Sequence, residues 1–428
     1  MTQAIIRPSS IALSIALSSR TMNADLDSRR VTLQSGNVGG RRPLTDAAPT
    51  AKWKTWLRFV AVLVLAGAFH AKYLIARHYL GDESLYVNAA SLVQSGQSAF
   101  LAPAYLGTAF FAHIFARMAG MFGIFPVAVA FRLLNLLAVA TIAWLAAIES
   151  KCSTNIRLVI AAALALAAPP LAEGLRVGNL SILVAALTLL ALRYWGERPV
   201  CAGLLLGAGL VVKPYALGFL PVLLVARLRP RSRANLVFAC VAAAIFAIGL
   251  CALPAELVAM AHSHEAMDVE LRSLSLQRIA FCFTGWGPRT SVILLVVLGS
   301  AALYTARTTR TLREVGHIAV LASLLSITRI WLHVLAVTLP WAVVVVADRV
   351  RGLHAVWRES LRARRIATLR LLLSVALALV LYNCDAFFAL SILVPAIPPL
   401  LDGVGTLIPF SALLIVFWQS LALDDGPV

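Results

Sequence analysis

From residue 56 onward the chain is a succession of apolar runs separated by short polar or arginine-bearing stretches. The runs are Trp56–Ala76, Ala104–Phe122, Ile124–Ile148, Leu158–Ala172, Leu180–Trp195, Val200–Ala226, Asn235–Leu253, Ser291–Ala306, Val315–Ser326, Trp331–Ala347, Leu369–Cys384 and Val404–Leu423. A helix needs about 20 apolar residues to cross the hydrocarbon core. The pattern therefore predicts an all-α polytopic membrane protein, with about 10–13 transmembrane helices over residues 51–428. Several runs fall short of a full span, which predicts tilted helices, re-entrant pieces or half-helices. Val200–Ala226 is instead too long for one ordinary span, and Lys213-Pro214 is expected to break it into two. Residues 1–50 are rich in Ser, Arg, Thr, Asn and Gly and show no lasting periodicity. They bury too little apolar surface to offset ordering entropy, and are expected to be a disordered cytoplasmic tail.

Composition sharpens this picture. The 428 residues are 61% hydrophobic and 13% charged, against about 45–50% and 25% in soluble domains. That excludes a soluble enzyme, a disordered scaffold and a secreted disulfide-rich domain. The net charge of +18 sits mostly in arginines within short loops, which is the footprint of cytoplasmic loops and not of nucleic-acid binding. Cys152, Cys201, Cys240, Cys251, Cys282 and Cys384 are scattered without ligand spacing and read as small apolar residues.

The same charges set the orientation. Arg227, Arg229, Arg231 and Arg233 fill one loop, and Arg307, Arg310 and Arg313 another. The stretch after Ala347 holds Arg349, Arg351, Arg358, Arg362, Arg364 and Arg365. All three loops are expected on the cytoplasmic side. The acidic segment Pro254–Pro288 and the segment His78–Pro103, which has Asp82 and Glu83 but no Lys or Arg, are expected outside.

Several residues in this frame carry chemistry. Asp82, at the outer mouth of the first helix, is placed to act as a general base on an acceptor hydroxyl; a solvated loop acid, or an N-cap for a helix starting near Ser84, fits the same sequence. Lys213 is the one lysine deep in an apolar run, and an intramembrane ionisable residue defaults to a functional role, with snorkelling to an interface as the alternative. Gly178-Asn179 reads as a helix start able to face an anion. Arg278 closes an outer-loop stretch of Ser, Gln and Arg. Arg329 and His333 lie four apart on one helical face, suited either to a phosphodiester headgroup or to interfacial anchoring with Trp331. The sequence requires neither a metal nor a cofactor.

In order along the chain, these elements resemble glycosyltransferase family 87, the polyprenyl-phosphate-mannose-dependent α-mannosyltransferases. Asp82 and Tyr86 match its Asp-x-x-x-Tyr element, Gly96 and Pro103–Tyr105 its Gly and Pro/Tyr element, and Pro170 with Gly178-Asn179-Leu180 its Pro…Gly-Gln element, with Asn in place of Gln. Ala202-Gly203, Gly207 and Lys213-Pro214 match its small-residue run ending in Lys-Pro, and Trp331 with His333 its Trp-x-His element, where Ser326-Ile327 replaces the usual Ser-Pro. The resemblance implies a GT-C fold in the bacterial inner membrane, with its active site on the outer face. By that match Asp82 would be the catalytic base and Tyr86, Lys213 and His333 would bind substrate, and the chemistry of Arg278 and Arg329 adds both as substrate-binding candidates. The implied partners are a polyprenyl-phosphate sugar donor, a lipid or glycan acceptor and membrane lipids, with no nucleic acid. A lipid-sugar flippase, or an inactive scaffold of an envelope glycan complex, are the competing readings of the same hydropathy.

Overall fold

A computed structural model describes residues 49–102, 105, 107–225, 232–251, 275–276, 279, 296–297, 299–301, 303–304, 311–326, 332–384 and 399–423. Contacts divide the chain into Met1–Thr55 and Trp56–Val428. In the first unit only the opening of one helix is described, so the tail expected over residues 1–50 lies almost wholly outside the described residues. The helical bundle belongs to the second unit.

The described elements are helical throughout. They are α1 (Pro49–Phe69), α2 (Ala71–Leu74), α3 (Glu83–Gln94), α4 (Ala109–Phe122), α5 (Ile124–Glu149), α6 (Thr154–Ala167), α7 (Pro169–Val177), α8 (Ser181–Tyr194), α9 (Pro199–Val212), α10 (Phe219–Val225), α11 (Ser232–Cys251), α12 (Leu312–Ser326), α13 (Leu339–Ala355), α14 (Leu361–Tyr382) and α15 (Pro399–Ala422). Short 3-10 segments at Ala99–Leu101, Pro214–Gly218 and Leu332–Thr338 join some of them.

As the sequence pattern predicts, several of the described apolar helices are shorter than a full span. Among the described residues, Ile124–Glu149, Leu332–Arg358 and Leu361–Tyr382 are long and apolar enough to cross a membrane, and α6 with α7, bent by 43°, makes a fourth. Shorter apolar helices of 10–17 residues include Ala109–Phe122, Ser181–Tyr194 and Pro199–Val212. A 14-residue helix reaches about 21 Å, less than the roughly 30 Å hydrocarbon core. Proline is one local cause. Pro169 and Pro170 open α7 after the bend, and Lys213 is extended (φ −147°, ψ 129°) between α9 and the 3-10 turn that starts at Pro214.

Small residues let the helices approach. Gly203 and Gly207 lie one turn apart on α9, and a Cβ at either would come within 2.7 Å of Val241 or 2.6 Å of Ile245 on α11. Helix association in a bilayer relies on such close packing, because lipid is as apolar as a leucine side chain. α3 is anchored by an aromatic cluster. Tyr86, Tyr105, Phe111 and Phe115 are all buried, and Phe115 stacks on Phe131 of α5 at 5.1 Å. That cluster fixes the head of α3, where Asp82 sits.

Candidate functional site

Asp82 occupies the N-cap position of α3, yet its carboxylate caps nothing. Its backbone N–H donates to the Val177 carbonyl at 2.7 Å, and its Oδ2 accepts instead from Asn179 Nδ2. This contact exists because the chain turns sharply after α7. Gly178 has φ +70°, and a Cβ there would lie 2.9 Å from the Glu83 Cβ. Both the left-handed backbone and the close approach call for glycine.

Asn179 links Asp82 to Lys213. Its Oδ1 accepts from Lys213 Nζ at 2.9 Å and from the Ser181 backbone N–H at 2.7 Å. An ammonium and a backbone amide can only donate, so Oδ1 must face them and Nδ2 must face the carboxylate. The direction of the network is thereby fixed: Lys213 donates to Asn179, and Asn179 donates to Asp82. Lys213 also donates to Ser181 Oγ at 3.2 Å and Tyr215 OH at 3.5 Å. The Tyr86 and Tyr215 rings flank its ammonium at 5.6 and 5.2 Å, within cation–π range. At 2% exposure Lys213 does not snorkel. Tyr86 OH accepts from the Leu180 N–H at 3.4 Å, and burial raises the Tyr86 phenol above its ordinary value, which keeps it protonated.

His333 is buried on the Leu332–Thr338 segment and packed toward α7 through Gly174. Asp82, Tyr86, Lys213 and His333 thus gather in one region, with Asn179, Ser181 and Tyr215 among them. Arg278, Arg329 and Trp331 lie outside the described residues. Gly178-Asn179 does not present a free helix start, because the Asn179 side chain already takes the Ser181 N–H.

Glu83, next to Asp82, has a different task. Arg132, in the third turn of α5, reaches it with Nη2 at 2.6 Å and Nε at 2.9 Å. Both side chains are almost fully buried, at 2% and 4% exposure. Glu83 Oε2 also accepts from the Leu80 N–H at 2.8 Å. The remaining guanidinium donors go to the carbonyls of Ala76 at 2.6 Å and His78 at 2.8 Å. Arg132 therefore straps the segment between α2 and α3, and Glu83 is not available as a base. The clue in the sequence is that Arg132 lies inside the apolar run Ile124–Ile148, as conspicuous by the intramembrane-charge rule as Lys213.

A small apolar cavity of about 30 Å³ borders the cluster through Ser181 and Tyr215 and is walled by Val184, Phe219, Val320 and Val334. The larger cavity, about 430 Å³, lies at the far end of α8 beside Arg193 and Glu197, about 18 Å along that helix from Ser181. Size alone would point to it, but the ionised cluster does not.

Residues 105–332 match the profile of Glycosyltransferase family 87. The chain belongs to glycosyltransferase family 87. The match spans more than half of the sequence and includes Arg132, Asn179, Ser181, Lys213 and Tyr215, whereas Asp82 and Tyr86 precede it and His333 follows directly after it. No curated protein and no solved structure matches the chain. Family 87 membership makes the protein a membrane glycosyltransferase, with a sugar donor, an acceptor and lipids as its partners, and it favours catalysis over the flippase and scaffold readings.

Proposed function

We propose that this family 87 enzyme has a GT-C fold and moves a sugar, mannose by the resemblance, from a polyprenyl-phosphate donor to an acceptor hydroxyl on the outer face of the inner membrane. The observation that carries this reading is the Asp82 carboxylate: half-buried at the mouth of α3 and held through Oδ2 by a neutral amide. In the proposed step the carboxylate takes the acceptor O–H proton while the acceptor oxygen attacks the anomeric carbon. The bond from that carbon to the phosphate oxygen breaks, and polyprenyl phosphate leaves with the electron pair. A single displacement inverts the anomeric centre, by the geometric logic of inverting glycosidases, so a β-linked donor yields an α-glycoside. Nucleotide sugars do not reach that face, which favours a donor presented from the bilayer.

Cationic and histidine side chains would stabilise the leaving phosphate. His333, with Arg278 and Arg329, is proposed for this role. The decisive experiment is transfer of label from polyprenyl-phosphate mannose by the purified protein to a lipid or glycan hydroxyl. Movement of the labelled lipid across vesicles without transfer would overturn the reading. His333→Ala should impair donor use without changing membrane insertion, seen as a higher donor KM or a lower kcat; unchanged kinetics would remove His333 from the site.

The side of the membrane is tested separately. In a background without native cysteines, Ser84→Cys should react with an impermeant maleimide added from outside, and Arg231→Cys should not. The reverse pattern would invert the orientation.

A further inference from the structure

Lys213 has every feature expected of a phosphate-binding lysine except an available proton. Its ammonium has three N–H donors, and three acceptors already surround it: Asn179 Oδ1 at 2.9 Å, Ser181 Oγ at 3.2 Å and Tyr215 OH at 3.5 Å. Two tyrosine rings cover the remaining approach, and only 2% of the residue is exposed. A phosphate oxygen would have to displace one of these partners and push past an aromatic ring. The position is also held from the backbone. Lys213 N–H donates to the Gly209 carbonyl at 2.9 Å, and Pro214 prevents α9 from continuing.

We propose that Lys213 is a positioning residue for Asp82, acting through the Asn179 amide, and not a ligand of the donor phosphate. This rests on the reading of Asp82 as the base. Without the ammonium, Asn179 Oδ1 keeps only the Ser181 N–H, so the amide that presents Nδ2 to Asp82 loses one of its anchors and holds the carboxylate less firmly in place. With the ammonium, the amide must present N–H to Oδ2, which leaves Oδ1 to meet the acceptor hydroxyl. A direct Lys–Asp ion pair would occupy the carboxylate that has to accept the proton. One interposed amide keeps the cation's field on the carboxylate and leaves the second oxygen open. The other titratable and charged groups around the pair are Tyr86 on α3, Tyr215 on the 3-10 turn and His333 on the Leu332–Thr338 segment, with Glu83 and Arg132 neutralising each other behind Asp82.

The test uses full-length protein in nanodiscs, with polyprenyl-phosphate mannose as the varied donor. Lys213→Met should lower kcat about tenfold to a hundredfold, the scale of a misplaced catalytic group, and leave the donor KM within about twofold. Asn179→Leu should show the same pattern, and the double variant should be no worse than either single one, because both break one chain of contacts. Asn179→Asp should be worse than Asn179→Leu, since it sets an acceptor against an acceptor. A donor KM raised tenfold at preserved kcat, or additive losses in the double variant, would overturn the proposal. If Lys213→Met fails to insert, the two Asn179 variants decide the question, and equal activity of Asn179→Leu and wild type sinks it. Asp82→Asn serves as the control: if it remains active, the base assignment itself has failed, whereas an inactive Asp82→Asn alongside additive losses removes only the Lys213 relay.

Discussion

Asp82→Asn should insert and fold as the wild type does and lose about 10²–10⁴-fold in turnover, the range for removal of a general base. The substitution keeps the side chain's size and leaves an oxygen to accept from Asn179 Nδ2, so the head of α3 keeps its contact with the turn after α7. What disappears is basicity. The measurement is single-turnover transfer from labelled donor, which separates chemistry from product release. Glu83 cannot take over, because Arg132 holds both of its oxygens. Turnover close to wild type would therefore remove general-base catalysis by this loop altogether.

Arg132→Met should be strongly destabilising. It strands the Glu83 carboxylate in a site where both partners are almost fully buried and releases the carbonyls of Ala76 and His78. Removing one member of a buried ion pair costs about 3–5 kcal/mol. Thermal unfolding in detergent should show it as a clear drop in Tm. Glu83→Gln combined with Arg132→Met should recover part of the loss, because no unpaired charge then remains. A single variant as stable as the wild type would mean that the strap does not hold the segment between α2 and α3.

Much of the helical layout was legible in the sequence, and the reasons are local. Gly123, with φ +87°, separates α4 from α5, and the expected run Ile124–Ile148 differs from the observed helix by one residue. The break at Lys213-Pro214 follows from proline geometry alone. The same logic was available at Pro169-Pro170, yet the apolar run Leu158–Ala172 continues straight through the bend, so hydropathy concealed it. Hydropathy also blurs helix ends, because a 14-residue apolar helix carries the same local signal as part of a longer one.

The site was legible as residues and not as a network. Asp82 and Lys213 stand out by charge against their surroundings. Asn179 reads from the sequence as a departure from a glutamine, while its contact with Asp82 spans 97 positions. Arg132 and Glu83 meet across 49. No periodicity encodes which of several buried charges will face each other; that is decided by how α5 and α7 pack against the segment leading into α3. Arg278 and Arg329, singled out by composition and spacing, lie beyond the described residues.

The Arg132–Glu83 strap has a consequence for how the protein is made. Chain emerges from the ribosome in order, so Glu83 and Asp82 are synthesised well before Arg132, and the buried ion pair cannot close until α5 has been made. A nascent chain halted before residue 132 lacks the guanidinium that pairs with Glu83 in the folded protein. The strap, and with it the placement of Asp82, becomes possible only once the chain has committed to a later helix, so assembly of this corner of the enzyme is post-insertional and depends on helices meeting in the bilayer.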